Sequence, residues 1–471
     1  MWGSANEAGL ANKSKTTNSM KTVTNKARSE IGIKRLSVLR TSEYEIRYDE
    51  ALRLILTVET RSTFSKLHRD ELRAIVSHWL QTPEQSPLLL GTTYRDKWLN
   101  LIRDHCHLRN QGLAFRLPLY GNGLRPIRID FSGVPFPPPV KNKFAFIDLF
   151  AGIGGFRIAL QELGGRCLFS SEWDQHAMKT YFENYGEIPF GDITRLTKLM
   201  SGKATSHNVI PPHEILCGGF PCQPFSQAGL QHGFNDARGT LFFDILTITR
   251  ALKPKVLFLE NVKRLKTHDG GNTFKTICSS LKKIGYKVYS KVLKAYDYGV
   301  PQNRERVFIV AFSEPLQFNW PKSAPIPELK VGDILEAKPD SRFTISEAMW
   351  RGHIRRRSEH KLKGNGFGFS LFNPASKYVN TISARYWKDG SEVLIEQPGN
   401  NPRILTPREC ARLQGFPDSF VLDSSRRYAY QQFGNSVAVP VVRSVGSAIL
   451  SALEKNLPVH DRMDLLDPVI E

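Results

Sequence analysis

Cys222 stands between two prolines in the run Gly218-Gly-Phe-Pro-Cys-Gln-Pro-Phe-Ser226. The apolar lead-in Ile215-Leu216-Cys217 predicts a buried strand that ends here. Proline fixes φ and removes a backbone donor, so the chain cannot continue as strand or helix. A thiol on a rigid turn at a strand's C-terminal end is well placed for nucleophilic attack. A lone cysteine is more often a small buried hydrophobe, so its companions decide. Glu260-Asn-Val262 ends another predicted strand and brings a carboxylate to the same edge. Gln302-Asn-Arg-Glu-Arg306 is expected to start a strand, with Arg304 and Arg306 on one face at i, i+2. Together they could attack an electron-poor ring carbon, protonate a ring nitrogen and hold a carbonyl oxygen. Nearby positive charge would also lower the thiol pKa. Plain structural roles stay open: Glu260 as a turn cap, the arginines as surface residues.

A second constellation reads as a nucleotide pocket. Asp148-Leu-Phe-Ala-Gly-Ile-Gly-Gly155 follows a predicted strand and opens a helix. Gly152 and Gly154 permit a tight turn and close backbone approach to a ligand. A dinucleotide fingerprint would want a glycine where Arg157 stands, which weakens a pyrophosphate reading. Glu172 ends the next strand and can accept both hydroxyls of a ribose. Trp173 offers a face for adenine. Asp192 can accept from an exocyclic amine. Singly, Glu172 reads equally as a surface acid and Trp173 as core packing. Together they describe an adenosine site without a diphosphate, which points to S-adenosylmethionine.

These residues need a frame. Strand candidates are 144–150, 166–171, 214–217, 256–260, 287–294 and 306–312, alternating with helical patterns such as Phe274, Ile277, Leu281 and Ile284. Such alternation predicts a largely parallel α/β sheet, doubly wound and Rossmann-like, with ligands beyond the strands' C-terminal ends. From 315 to 405 the alternation stops, and arginines, glycines and aromatics suggest a smaller inserted domain. Thr406-Pro-Arg-Glu409 restarts regular structure, with Thr406 as cap and Pro407 at the first helical turn. The stiff run Val134-Pro-Phe-Pro-Pro-Pro-Val140 marks a boundary. The expected division is a disordered basic tail at 1–40 and a mostly helical extension of unknown role at 41–142. The main domain follows at 143–314 and returns at 406–455 after the insert, with a tail at 456–471.

The chain has 471 residues, 41% apolar and 23% charged, the profile of a soluble protein of two or three domains. No run of 18 apolar residues and no signal-peptide core is evident, so a cytoplasmic protein without a membrane partner is expected. Six scattered cysteines without a Cys-x-x-Cys pair argue against a disulfide framework or zinc module. His105-Cys106-His107 invites a metal reading, but adjacent side chains diverge and no second ligand pair completes a tetrahedron, so no metal is expected. The net charge of +20 suggests a polyanionic partner, most simply nucleic acid.

Six motifs then occur in order: Phe150-x-Gly152-x-Gly154, Pro221-Cys222-Gln223, Glu260-Asn261-Val262, Gln302-x-Arg304-x-Arg306, Arg408-Glu409-Cys410-Ala411-Arg412-Leu413 and Gly434-Asn435-Ser436-Val437. Over roughly 144–455 the chain resembles the bacterial DNA (cytosine-5)-methyltransferases. The resemblance implies Cys222 as the nucleophile on cytosine C6, Glu260 on N3 and the exocyclic amine, Arg306 on O2 and Arg304 supporting the adduct. It implies that Phe150, Gly152, Gly154, Glu172, Trp173, Asp192, Ile193, Leu241 and Asn435 line the S-adenosylmethionine pocket, which releases S-adenosylhomocysteine. It further implies duplex DNA with a flipped base, a monomer, and pairing with a cognate restriction endonuclease. Residues 223–241 resemble the loop that closes over DNA, and 315–405 would be the target recognition domain. Gly364–Phe369 and Thr381–Gly390 are similar to stretches in enzymes of the CCNGG/CCWGG type. Three other readings are weighed: an additional N-terminal DNA-binding regulator, an RNA cytosine methyltransferase and a nicotinamide oxidoreductase. No helix-turn-helix is evident for the first, and Arg157 and Cys222 speak against the last.

Overall fold

The computed structural model describes residues 44–59, 68–81, 91–111, 127–200, 210–221, 241–323, 329–364 and 368–455. Cys222, the 223–240 part of the closing loop, and the tails 1–40 and 456–471 lie outside the described residues.

Two short parallel strands, β1 (Tyr44–Arg47) and β2 (Ile127–Asp130), frame the N-terminal unit. Between them run the helices Tyr48–Val58, Arg69–Gln81 and Gly91–Gln111. Their apolar faces close a small core around Leu52, Ile55, Trp79, Trp98 and Ile102.

Six strands then build the main sheet: β3 (Phe144–Leu149), β4 (Gly165–Ser171), β5 (Ile215–Gly219), β6 (Val256–Val262), β7 (Lys287–Lys294) and, after the two-residue β8 (Gln302–Asn303), β9 (Glu305–Phe312). Their order is β4-β3-β5-β6-β9-β7. β3 and β6 each open on an apolar run, and β3 to β6 are buried almost throughout because helices cover both faces. β9 is antiparallel to both neighbours, so it alone runs against the rest. The chain leaves β3 outward to β4 and returns on the other side to β5. The strand order therefore reverses between β3 and β5, and a crevice opens beyond their C-terminal ends. Gly218 permits this pair to close up, since a Cβ there would lie 2.5 Å from the Leu149 carbonyl oxygen.

One sequence expectation needs correction. Gln302–Arg306 does not begin a single strand. β8 pairs with β11 (Val379–Asn380) in the insert, and β9 begins only at Glu305. The backbone changes partners at Arg304, so the i, i+2 argument for Arg304 and Arg306 does not hold.

The insert carries the helix Glu347–Leu362 and a three-stranded sheet. β10 (Leu371–Phe372) lies parallel to β12 (Leu394–Gln397), which pairs antiparallel with β13 (Asn400–Ile404). Val379, Ile382, Tyr386 and Val393 share one core with Phe146 and Phe258 of the main sheet. Regular structure resumes at Pro407–Leu413. A reciprocal capping box joins Thr406 to Glu409, and Arg403 donates two hydrogen bonds to the same buried carboxylate at 2.7 and 2.8 Å. Two helices follow, Arg426–Asn435 and Val439–Glu454. The stretch 426–454 is long and apolar enough to cross a membrane by composition, but half of its apolar window is buried inside the fold. Its second helix packs on Gly155–Glu162, where a Cβ on Gly446 would lie 2.9 Å from Leu163.

Candidate active site

The glycine loop after β3 is strained in a way that suits a ligand. Phe150 and Gly152 both take φ +56°, and Gly154 takes +82°. Positive φ in a bulky residue such as Phe150 is an outlier of the kind concentrated at functional sites. A Cβ on Gly152 would meet nothing within 4 Å, so its face is open. At Gly154 a Cβ would strike the Tyr185 ring at 2.4 Å. The helix Gly155–Glu162 starts here without a side-chain cap, leaving its first amides free for a ligand.

Glu172 closes the loop from the β4 side. Its Oε2 accepts from Gly152 N at 2.8 Å, and its Oε1 accepts from Trp173 N and Asp174 N at 2.9 and 2.8 Å. Burial raises its pKa, against the pull of those three amides. It is thus neither a plain surface acid nor an unengaged ribose acceptor, though each oxygen can take a further donor. Trp173 is 79% exposed, which removes the core-packing alternative and leaves an indole face beside the carboxylate. Asp192 takes the Thr194 amide and hydroxyl, both at 2.9 Å, and remains exposed next to buried Ile193. Leu241 opens the helix Leu241–Leu252 and is half-buried. Asn435 is exposed, and the residues after it abut the glycine loop, since a Cβ on Gly155 would meet Val437 at 2.7 Å and Ser436 Oγ at 3.0 Å. A stackable indole, a carboxylate and an open glycine face suit an adenosyl group.

Arg157 explains why no third glycine is needed. It is fully buried, paired with Glu187 at 2.8 Å, hydrogen-bonded to Tyr181 and Gln161, and set 4.7 Å from the Tyr185 ring centre. Burial alone would raise the Glu187 pKa, but Arg157, His78 and Ser170 bring it down to about 2. Sequence reasoning missed this pair because Glu187 lies 30 residues away with no motif around it.

Asp148, at the crevice end of β3, is also fully buried, and its pKa is pushed up to about 8 by burial, against Arg157 and the Cys217 thiol. A raised carboxyl pKa gives stability that is full below the ordinary carboxylate range and is lost as pH rises to the folded value. Asp148→Asn has no proton to lose. Its melting temperature relative to the parent should rise between about pH 5 and about pH 9, as thermal melts at the two pH values would check.

The second constellation lies across the crevice. Glu260 faces Gly219 in the β5–β6 register, three residues before Cys222. It is 8% exposed, and its Oε1 lies 3.1 Å from Arg306 Nε. Burial raises its pKa, and the attraction of Arg306 and Arg304 only partly offsets this. Arg304 is buried, and its guanidinium donates to the carbonyls of Ile382, Gly434 and Ser436 at 3.3, 3.1 and 2.6 Å. It clasps the insert and the 434–436 segment to the sheet. Asn261 was singled out in sequence only as part of a motif. Its Nδ2 donates to Phe220 O at 2.8 Å, fixing the backbone two residues before Cys222. In the insert, Arg351 and Arg355 stand on the exposed helix Glu347–Leu362, while Arg356 pairs with Asp389 at 2.8 Å.

His105 pairs with Glu50 at 2.9 Å, and Cys106 is buried. Among the described residues no group of three or more His, Cys, Asp or Glu could hold a metal ion.

The sheet order, the strained glycine loop and the carboxylate that closes it fit a doubly wound α/β methyltransferase. The Entamoeba histolytica methyltransferase EhMeth has the same fold, with a TM-score of 0.53 at 20% identity, covering 66% of this chain and 99% of that one. Residues 144–451 match the family model of the C-5 cytosine-specific DNA methylases, and the chain belongs to that family. It is 55% identical over 315 residues to the type II methyltransferase M.NlaX of Neisseria lactamica, covering 66% of this chain and 97% of the relative. It is 47% identical over 375 residues to M.SsoII of Shigella sonnei, covering 75% and 97%. The protein is thus an S-adenosylmethionine-dependent DNA (cytosine-5)-methyltransferase.

Proposed function

We propose that this enzyme methylates the inner cytosine of a CCNGG- or CCWGG-type duplex site, with Cys222, Glu260, Arg304 and Arg306 working on the flipped base. The observation that carries the reading is the buried Glu260–Arg306 pair, 3.1 Å apart, beside the backbone leading into Cys222. A ring carbon inside a stacked duplex is out of reach, so the base must leave the helix. The Cys222 thiolate adds to C6, Glu260 in its acid form donates to N3, and Arg306 holds O2. Arg304 acts through the backbone it clasps and supports the adduct. S-adenosylmethionine, when bound, supplies an electrophilic methyl group. C5, made electron-rich by the attack, is methylated. A base then takes the C5 proton, and elimination releases Cys222. The reaction as written needs no metal ion.

Trp173 stacks on the adenine, Glu172 receives ribose hydroxyls and Asp192 the exocyclic amine. Phe150, Gly152, Gly154, Ile193, Leu241 and Asn435 line the remainder. Residues 315–405 serve as target recognition domain, with arginines for phosphate and guanine contacts. The protein acts as a cytoplasmic monomer, paired with an endonuclease in a restriction–modification system, a reading supported by the type II designation of its relatives. Bisulfite sequencing of plasmid DNA from cells expressing the protein should show conversion-resistant inner cytosines at CCNGG or CCWGG sites. Modified cytosines in another context would overturn the site assignment, and methylation of transfer RNA rather than duplex DNA would overturn the substrate.

A further inference from the structure

We propose that the N-terminal helix Arg69–Gln81 is a wall support of the cofactor pocket, and that His78 is its positioning residue. The inference rests on the pocket reading above. The helix lies outside the family's span of 144–451, yet it is built into the same core. Ala74 and Ile75 pack with Ile147, Phe169, Phe190 and Ile193. Ser77 Oγ accepts from Ile188 N at 2.9 Å, Glu71 pairs with Arg195 at 2.7 Å, and the Gln81 carbonyl accepts from Arg166.

His78 is the centre of these contacts. Its Nε2 lies 3.1 Å from Ser170 N and 3.2 Å from both Ser170 Oγ and Glu187 Oε1, and all three residues are buried. Ser170 precedes the pocket end of β4, and its carbonyl accepts from Phe190 N at 2.8 Å. Phe190 O in turn accepts from Glu172 N at 2.9 Å, and Ser171 Oγ donates to Gly191 O at 3.0 Å. Glu187 reaches Arg157 in the helix that follows the glycine loop. One imidazole thus touches a residue on β4, before Glu172 and Trp173, and a residue in the segment that carries Asp192. Through Glu187 and Arg157 it also braces the glycine loop. Loss of the ring would leave a buried carboxylate and serine short of a partner and loosen all three walls.

The full-length enzyme tests this. His78→Ala should weaken S-adenosylmethionine binding by about ten-fold in calorimetry, with kcat at saturating cofactor changed by less than about two-fold. His78→Gln, which returns a polar group to the ring's Nε2 position, should recover most of the affinity. Phe318→Leu, whose ring packs on Tyr289 and Phe312 at the sheet edge opposite β4, should lower the melting temperature without shifting cofactor affinity. Wild-type affinity in His78→Ala, or an equal affinity loss in Phe318→Leu, would overturn the proposal. Should the alanine variant not fold, Glu71→Gln, which releases Arg195 three residues beyond Asp192, carries the same test. Trp173→Ala reports on the pocket itself: unchanged affinity there overturns the pocket reading, whatever His78 does.

Discussion

Replacing Cys222 with alanine is expected to cut methyl transfer to DNA by about 10⁴-fold or more, while S-adenosylmethionine still binds. A cytosine ring does not accept a methyl at C5 until a nucleophile has added at C6. Among the described cysteines none is suited to take over. Cys167, Cys217 and Cys410 are fully buried, and burial pushes each thiol pKa up, away from the thiolate that attack requires. Cys106 is buried in the N-terminal unit, and Cys278 lies on the helix Asn272–Lys283 with its thiol pKa also raised by burial. The backbone leading into Cys222 is held: Gly218 presses on Leu149, and Asn261 grips the Phe220 carbonyl. A duplex carrying 5-fluorocytosine at the target gives a sharper readout. Fluorine replaces the C5 proton that elimination must remove, so the adduct persists through a denaturing gel. The alanine variant should give no adduct. A fully active Cys222→Ala enzyme, or an adduct formed without the thiol, would refute the assignment.

Sequence pattern served well where the signal is local. β7 spans the residues expected for it, and the other sheet strands shift at their ends by one or two residues. The helix with Phe274 and Ile277 ends before Gly285, and Thr406 and Pro407 start a helix as their types dictate. What stayed hidden depends on partners distant in sequence. The alternation of apolar runs foretells strands but carries no direction, so β9 running reversed between β6 and β7 was not readable. Arg304 looks like a site residue by spacing, whereas its three carbonyl partners come from segments 78 to 132 residues away. Gly434 belongs to a motif, but its cause is the Ser383 backbone, which a Cβ would meet at 2.3 Å. The proline run 134–140 reads as a linker. In the fold Phe136 packs between Tyr185 and Phe420, with its amide on Asn184 O at 2.9 Å.

Glu260→Gln should lower kcat by about 10²- to 10³-fold with little change in cofactor affinity, and should erase one limb of the pH profile. Glu260 has two opposed influences. Burial disfavours its charge, while Arg306 and Arg304 favour it, and burial is the larger. Arg306 is itself largely desolvated, which lowers its pKa, but a guanidinium stays protonated, so the pair does not neutralise by moving a proton onto the carboxylate. The acid form of Glu260 therefore survives above the ordinary carboxylate range, as a donor to the ring nitrogen requires. The rate should fall at the alkaline side as Glu260 loses its proton. Arg306→Gln removes a charge that lowers the Glu260 pKa, so the alkaline limb of the residual activity should move upward. Stability follows the same sign. The contribution of Glu260 is full below the ordinary carboxylate pKa and is lost as pH rises through the raised value, whereas the glutamine variant shows no such slope. Profiles of kcat/KM against pH, with thermal melts of the same variants, read both effects. A glutamine enzyme of wild-type rate, or an alkaline limb that stays in place in Arg306→Gln, would leave Glu260 without the acid's role.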